Sequence, residues 1–165
     1  MAKKTDFTPE EWNAILAAAP MIGLAVTCAS PNGPWGVVKE MLSMGMAMAE
    51  MLQRGGANPL IAELAADLKE RKTKLEPPQG IKDPELCKEM ALSHVRAVNE
   101  IIDRKVKGEE ADEFKKWLLA IARRVAEAAN EGGIFGIGGE RVSDAERNIL
   151  RQIAFALGQP AADLQ

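Results

Sequence analysis

The chain has 165 residues, of which 47% are hydrophobic and 27% are charged, and its formal net charge is −3. These values are typical of one globular domain and argue against an obligate nucleic-acid-binding protein. Cys28 and Cys87 are too few for a disulfide framework, so we predict a reduced thiol pair in a cytoplasmic protein. We expect a single domain over residues 1–165, with a linker-like turn near residues 74–82.

The first predicted helix begins at a capping box. Thr8 is its N-cap, Pro9 is the first helical residue, and Glu11 is placed to accept from the N-cap backbone. Pro20 lacks the N–H group that an interior helical residue donates. We therefore predict that Pro20 breaks or kinks this helix and that a second apolar helix follows over residues 21–29.

Residues 12–38 contain no charged side chain, which raises the question of a membrane segment. Their longest unbroken apolar part, residues 14–29, is shorter than the roughly 20 residues that a spanning helix needs. The two early lysines also lack an apolar run directly behind them, so we expect no signal peptide. The pattern favours a buried core helix over a membrane segment.

A methionine stripe marks the next predicted helix, residues 35–54. Met41, Met44, Met48 and Met51 recur at helical spacing along one face. A methionine-filled core explains this pattern, and so does a partner-binding surface, because thioethers adapt to irregular apolar shapes. We keep these four residues as candidate partner-binding residues. Asn58 then caps another helix that runs to about residue 72.

Asp83 caps the following helix, which carries the chain's single histidine, His94. Cys87 precedes it by seven residues, which places the two about 10 Å apart along a helix, too far to share a metal ion. A pairing of Cys28 with His94 would be the one Cys–His dyad available. Packing in or near the core is the simpler interpretation of His94. We therefore predict no catalytic residues and a protein that is not an enzyme.

The next helix, residues 109–130, starts with acidic residues that suit the positive end of the helix dipole. A glycine-rich loop, residues 132–139, follows it. A phosphate-binding loop would continue as Gly-Lys-Ser/Thr, whereas this chain continues as Gly-Gly-Glu-Arg. We predict a structural turn and no bound cofactor. A weak contact of the apolar loop tip with a membrane surface is the alternative.

The last predicted helix starts at the Ser143 cap and stops at Gly158 and Pro160. Its apolar stripe places Phe155 on the polar side, beside Gln152. A large apolar residue in that position indicates a contact surface, and we predict that Phe155 is exposed or covered by a partner, including a second copy of the chain.

Residues 125–131, the turn Gly-Glu-Arg-Val-Ser-Asp-Ala-Glu at 139–146, and residues 149–158 together resemble the TerB-like family, named from tellurite-resistance proteins. The family's turn typically reads Asp-Gly-Glu-Val-Ser-x-x-Glu. Here glycine replaces the aspartate and Arg141 is an additional residue. The resemblance implies a compact helical domain with an accessory or stress-linked role. It leaves Glu140 and Glu146 as candidate metal ligands.

The sequence as a whole predicts an all-α fold, a compact bundle of six to seven helices. Our leading hypothesis is a non-enzymatic interaction domain that binds a protein partner or itself through apolar helix surfaces. A protein that binds an apolar ligand or a membrane surface is the second hypothesis, and a metal-responsive TerB-like domain is the third. A contiguous exposed apolar patch favours the first hypothesis, and an internal pocket lined by methionine and leucine favours the second.

Overall fold

The structure, a computed structural model, describes residues 1–29, 58–71, 83–131 and 144–160. These residues form five α-helices and no β-strand, which confirms the predicted all-α class. The helices are α1 (Pro9–Ala29), α2 (Pro59–Arg71), α3 (Pro84–Lys105), α4 (Glu109–Glu131) and α5 (Asp144–Ala156), with one 3-10 turn at Lys4–Asp6 before them.

The prediction of six to seven helices differs from this count for two reasons. The helix predicted over residues 35–54 lies outside the described residues, as does the linker-like turn near residues 74–82. The two helices predicted on either side of Pro20 are one helix, because α1 continues through Pro20 to Ala29. The prediction of a break at Pro20 is therefore wrong.

Packing explains why α1 continues through Pro20. A proline inside a helix costs about 3 kcal/mol or more, because one hydrogen bond is lost and the ring crowds the preceding turn. Each large apolar side chain that is fully buried contributes about 1.5–3 kcal/mol. Trp12, Ile15, Ile22 and Val26 of α1 are all at most 2% exposed. Their burial together outweighs the cost of the proline.

Helix α1 is the central helix of the described fold. It packs most extensively against α3 and also contacts α4 and α5, while α2 packs against α4. Among the described residues, α1 has the length and apolar composition of a membrane-spanning helix, and 56% of its most apolar window is buried inside the fold. Helix α1 therefore packs in the core as predicted. At 21 residues it is not too short to span a membrane, and that part of the prediction is wrong.

Three of the predicted helix starts, at Thr8, Asn58 and Asp83, are confirmed in atomic detail, whereas the predicted Ser143 cap lies outside the described residues. At α1 the backbone N–H of Thr8 donates to Glu11 Oε2 at 2.8 Å, and the Glu11 N–H donates to Thr8 Oγ1 at 3.2 Å, which is the reciprocal capping box. At α2 the side-chain oxygen of Asn58 accepts from two backbone N–H groups. At α3 the carboxylate of Asp83 accepts from the Glu85 N–H at 3.0 Å.

One hydrophobic cluster contains buried residues from all five helices. The apolar face of α4 is fully buried at Phe114, Leu118 and Ile121. Met90 of α3, in contrast, is 46% exposed. The extent of the single predicted domain over residues 1–165 stays a prediction.

Candidate interaction surface

Phe155 lies on the solvent side of α5 and is 85% exposed. The opposite side of the same helix is closed, because Ile149, Ile153 and Leu157 are at most 1% exposed. At about 100° per residue, Phe155 is separated by about 160° around the helix from Ile153 and from Leu157. The prediction that Phe155 lies off the buried stripe is therefore confirmed.

The C-terminal end of α5, where Phe155 lies, is closed by a backbone cap. Gly158 has a φ of +64°. Its N–H donates to the Phe155 carbonyl at 3.0 Å, and the Gln159 N–H donates to the Ala154 carbonyl at 2.9 Å. These two bonds constitute a Schellman motif, which ends the helix and satisfies its last carbonyl groups. Phe155 therefore stands in the last, well-anchored turn of a helix.

A shallow depression of about 450 Å³ adjoins Phe155. Its lining comes from α3 and α5 and consists of Leu92, Arg96, Arg151, Gln152 and Phe155. We call these five residues the Phe155 surface. Leu92 is only 4% exposed, so it belongs to the core as well as to the lining. An aromatic ring beside an apolar hollow is the arrangement from which interface anchors are built.

Two arginines border this hollow. Arg96 and Arg151 are both exposed, and neither makes an ion pair or a hydrogen bond with another described residue. The surface therefore combines an apolar centre with a positively charged rim, on a chain whose net charge is −3. The position of Gln152 beside Phe155 was predicted from the sequence, whereas neither arginine was. Arg151 precedes Phe155 by one helical turn and could have been recognised, whereas Arg96 comes from another helix.

The remaining candidate residues are not brought to this surface. Met41, Met44, Met48, Met51 and Glu140 lie outside the described residues, as does the glycine-rich loop at 132–139. Glu146 lies in the first turn of α5 and is 1% exposed. Among the described residues, no group of three or more metal-ligating side chains is placed to hold a metal ion.

His94 is near the core, as predicted. Its side chain is half-buried, and Nε2 lies 2.8 Å from the carbonyl oxygen of Ala14 in α1. Since a carbonyl oxygen only accepts, Nε2 carries the proton and donates it. This hydrogen bond ties α3 to α1 and gives His94 a structural role. Cys28 lies beside Cys87 instead, with the two sulfur atoms in contact.

The acidic start of α4 contacts the N-terminal segment and the start of α2. The Ala2 N–H donates to the Glu110 carboxylate at 2.9 Å. The side-chain amide of Asn58 donates to Glu113 Oε2 and to the Glu110 carbonyl, both at 3.0 Å. These carboxylates therefore hold chain segments together, in addition to the favourable position at the helix dipole that the sequence predicted.

Comparison of the chain with protein-family models, with curated proteins and with solved structures found no match. The TerB-like resemblance of residues 125–158 stays a prediction.

Proposed function

We propose that the protein is a non-enzymatic, cytoplasmic interaction domain that uses the Phe155 surface to bind another protein. The expected partner segment presents a large apolar side chain with carboxylates on both sides. The observation that carries this proposal is the 85% exposure of Phe155 beside a hollow with an arginine on each contributing helix. The TerB-like resemblance suggests an accessory or stress-linked setting for such a domain.

The aromatic ring supplies the binding energy in this proposal. Burying an exposed phenylalanine side chain contributes about 1.5–3 kcal/mol, and about 1.4 kcal/mol changes a dissociation constant tenfold. Phe155 stands in a packed helical turn, so little backbone freedom is lost when a partner covers it. The hollow beside it gives the partner's apolar side chain a place to pack.

The arginines determine which partner is favoured. Arg96 and Arg151 make no ion pair with the described residues, so partner carboxylates can approach them without breaking an existing bridge. A two-fold dimer through the Phe155 surface would place the same positive patch on both sides of the interface. Opposed like charges disfavour that dimer, so an acidic segment of a different protein is the better complement.

A pair of synthetic peptides tests this chemistry with the full chain. The acidic peptide is a short helix with leucines at helical spacing and glutamates on both flanks, and the basic peptide has lysine at every glutamate. Fluorescence anisotropy of the labelled peptides measures both affinities. We expect the acidic peptide to bind at least about tenfold more tightly and to weaken as salt is added.

Equal affinity for the two peptides, or no binding of either, would contradict the proposed partner chemistry. Sedimentation of the protein alone is measured in parallel. A dimer that is lost in Phe155→Ala would show that a second copy occupies this surface instead of an acidic partner.

A further inference from the structure

Cys28 and Cys87 lie in sulfur-to-sulfur contact, although they are 59 positions apart in the chain. Their Sγ atoms are 2.8 Å from each other. Cys28 is the penultimate residue of α1, and Cys87 lies in the first turn of α3. A disulfide bond is about 2.05 Å long, so the two sulfurs need to approach by less than about 1 Å to become bonded.

The helices around the two cysteines hold them in this arrangement. The Cys87 N–H donates to the Asp83 carbonyl at 3.0 Å, and Asp83 is also the N-cap of α3. Val26 and Thr27, which directly precede Cys28, are both buried. Helices α1 and α3 form the most extensive helix pair of the described fold. The sulfur contact therefore joins two well-packed backbones.

The two thiols differ in exposure. Cys28 is partly exposed to solvent, whereas Cys87 is 5% exposed. A reagent from solution therefore reaches Cys28 first, and Cys87 is positioned to attack whatever is bonded to the Cys28 sulfur. This is the arrangement of an entry thiol beside a resolving thiol.

We infer that Cys28 and Cys87 are a redox-modification site that closes reversibly to an intramolecular disulfide. Glutathione disulfide is a suitable oxidant. The Cys28 thiolate attacks one sulfur of glutathione disulfide, which forms a mixed disulfide and releases one glutathione. The Cys87 thiolate then attacks the Cys28 sulfur, which forms the Cys28–Cys87 bond and releases the second glutathione. The protein loses two electrons and two protons, and glutathione disulfide gains them.

The reduced pair predicted from the sequence is one state of this site, since both cysteines are in the thiol form here. The disulfide adds a covalent link between the end of α1 and the start of α3 with little change in the helix packing. A cross-link across 59 positions removes much of the freedom of the unfolded chain. We expect the oxidised form to melt about 5 to 15 °C above the reduced form.

Equilibration of the full chain with glutathione and glutathione disulfide tests the inference. Alkylation of the remaining thiols, followed by intact-mass measurement, reports the product. We expect a monomer that has lost about 2 Da and has no alkylatable thiol, with the higher melting temperature, and both changes should reverse with dithiothreitol. A folded monomer that keeps both thiols in excess glutathione disulfide, or oxidation only between chains, would overturn the inference.

Two serine variants test the order of the steps. In Cys87→Ser, glutathione should stay on Cys28 as an adduct of about 305 Da, because no resolving thiol remains. In Cys28→Ser, the buried Cys87 should acquire glutathione at least about tenfold more slowly. Equal rates in the two variants would overturn Cys28 as the entry thiol. The measurement on the unsubstituted chain decides on the disulfide even if a variant fails to fold.

Discussion

Glu11 and Lys105 connect the first turn of α1 to the last turn of α3. Glu11 Oε2 lies 2.6 Å from the Lys105 ammonium, and Glu11 Oε1 lies 2.7 Å from the Arg104 guanidinium. The hydrogen bond from Lys105, then the Thr8 backbone N–H and the bond from Arg104, lower the pKa of Glu11 to about 2, against partial desolvation that raises it. A residue of the capping box therefore also joins two helices that are distant in sequence.

This pKa predicts a loss of stability in acid. The folded-state pKa of about 2 lies below the ordinary value of 4.5, so the folded form holds this proton less readily than the unfolded form. The contribution of Glu11 is complete above about pH 4.5 and is lost as the pH falls to about 2. Urea unfolding measures the free energy of unfolding of the wild type and of Glu11→Gln. We expect the difference between the two to decrease as the pH falls across this range.

The neighbouring variant Glu10→Gln is the control for this experiment. Glu10 is exposed and forms no ion pair with Lys105 or Arg104. Its substitution therefore removes one carboxylate from the same helical turn and leaves the contacts of Glu11 in place. The difference in free energy of unfolding between the wild type and Glu11→Gln could also stay constant through the acid range. That result would show that the contact with Lys105 does not stabilise the fold.

Gly158→Ala tests the end of α5. Gly158 has a φ of +64°, and a Cβ placed there meets only Asn99 Nδ2, at an ordinary 3.9 Å. Steric overlap is therefore not the problem, but the left-handed backbone costs alanine about 1 kcal/mol or more. We expect a matching decrease in the free energy of unfolding, measured with urea, and a smaller one for Gly158→Asn. Unchanged stability of Gly158→Ala would mean that the helix end rearranges.

Gly108→Ala provides the comparison for that measurement. Gly108 has a φ of +60° and no heavy atom within 4 Å of the added Cβ, so backbone strain acts there alone. Similar losses in the two alanine variants would support strain as the common cause. A much larger loss at Gly158 would point to the packing of the last turn instead.

Most of the described fold could be predicted from local sequence patterns, namely helix caps and the spacing of apolar residues. The caps at Thr8, Asn58 and Asp83 were predicted because each is a contact between residues two or three positions apart. The exposure of Phe155 followed from the period of one helix. Pro20 was misjudged because its local cost is offset by packing against α3, α4 and α5, which the local pattern does not contain.

The parts of the sites that join different helices could not be predicted in this way. Arg96 reaches the Phe155 surface only because α3 lies beside α5. Cys28 meets Cys87 only because the end of α1 lies at the start of α3. Both contacts depend on how the helices pack against each other, and the residue spacing within a single helix does not predict that packing. The sequence predicted that Phe155 lies off the buried stripe of α5, and the packing of α3 beside α5 places Arg96 next to it.

The same substitution should have very different effects on stability at Phe114 and at Phe155. Phe114 is fully buried in α4, so Phe114→Ala should lower the free energy of unfolding by about 3–5 kcal/mol. Phe155 is 85% exposed, so Phe155→Ala should change it by no more than about 0.5 kcal/mol. Urea unfolding of the two variants compares them directly. A loss at Phe155 as large as that at Phe114 would show that Phe155 supports the fold and is not held for a partner.

The affinity of Phe155→Ala for the acidic peptide tests the proposed interaction surface most directly. Met90→Ala is the matched control, since Met90 is an exposed apolar residue of α3, at 46%, that does not line the hollow. We predict at least about tenfold weaker binding for Phe155→Ala and less than about a twofold change for Met90→Ala. Equal affinity of Phe155→Ala and the wild type, or equal losses in both variants, would contradict a binding site centred on Phe155.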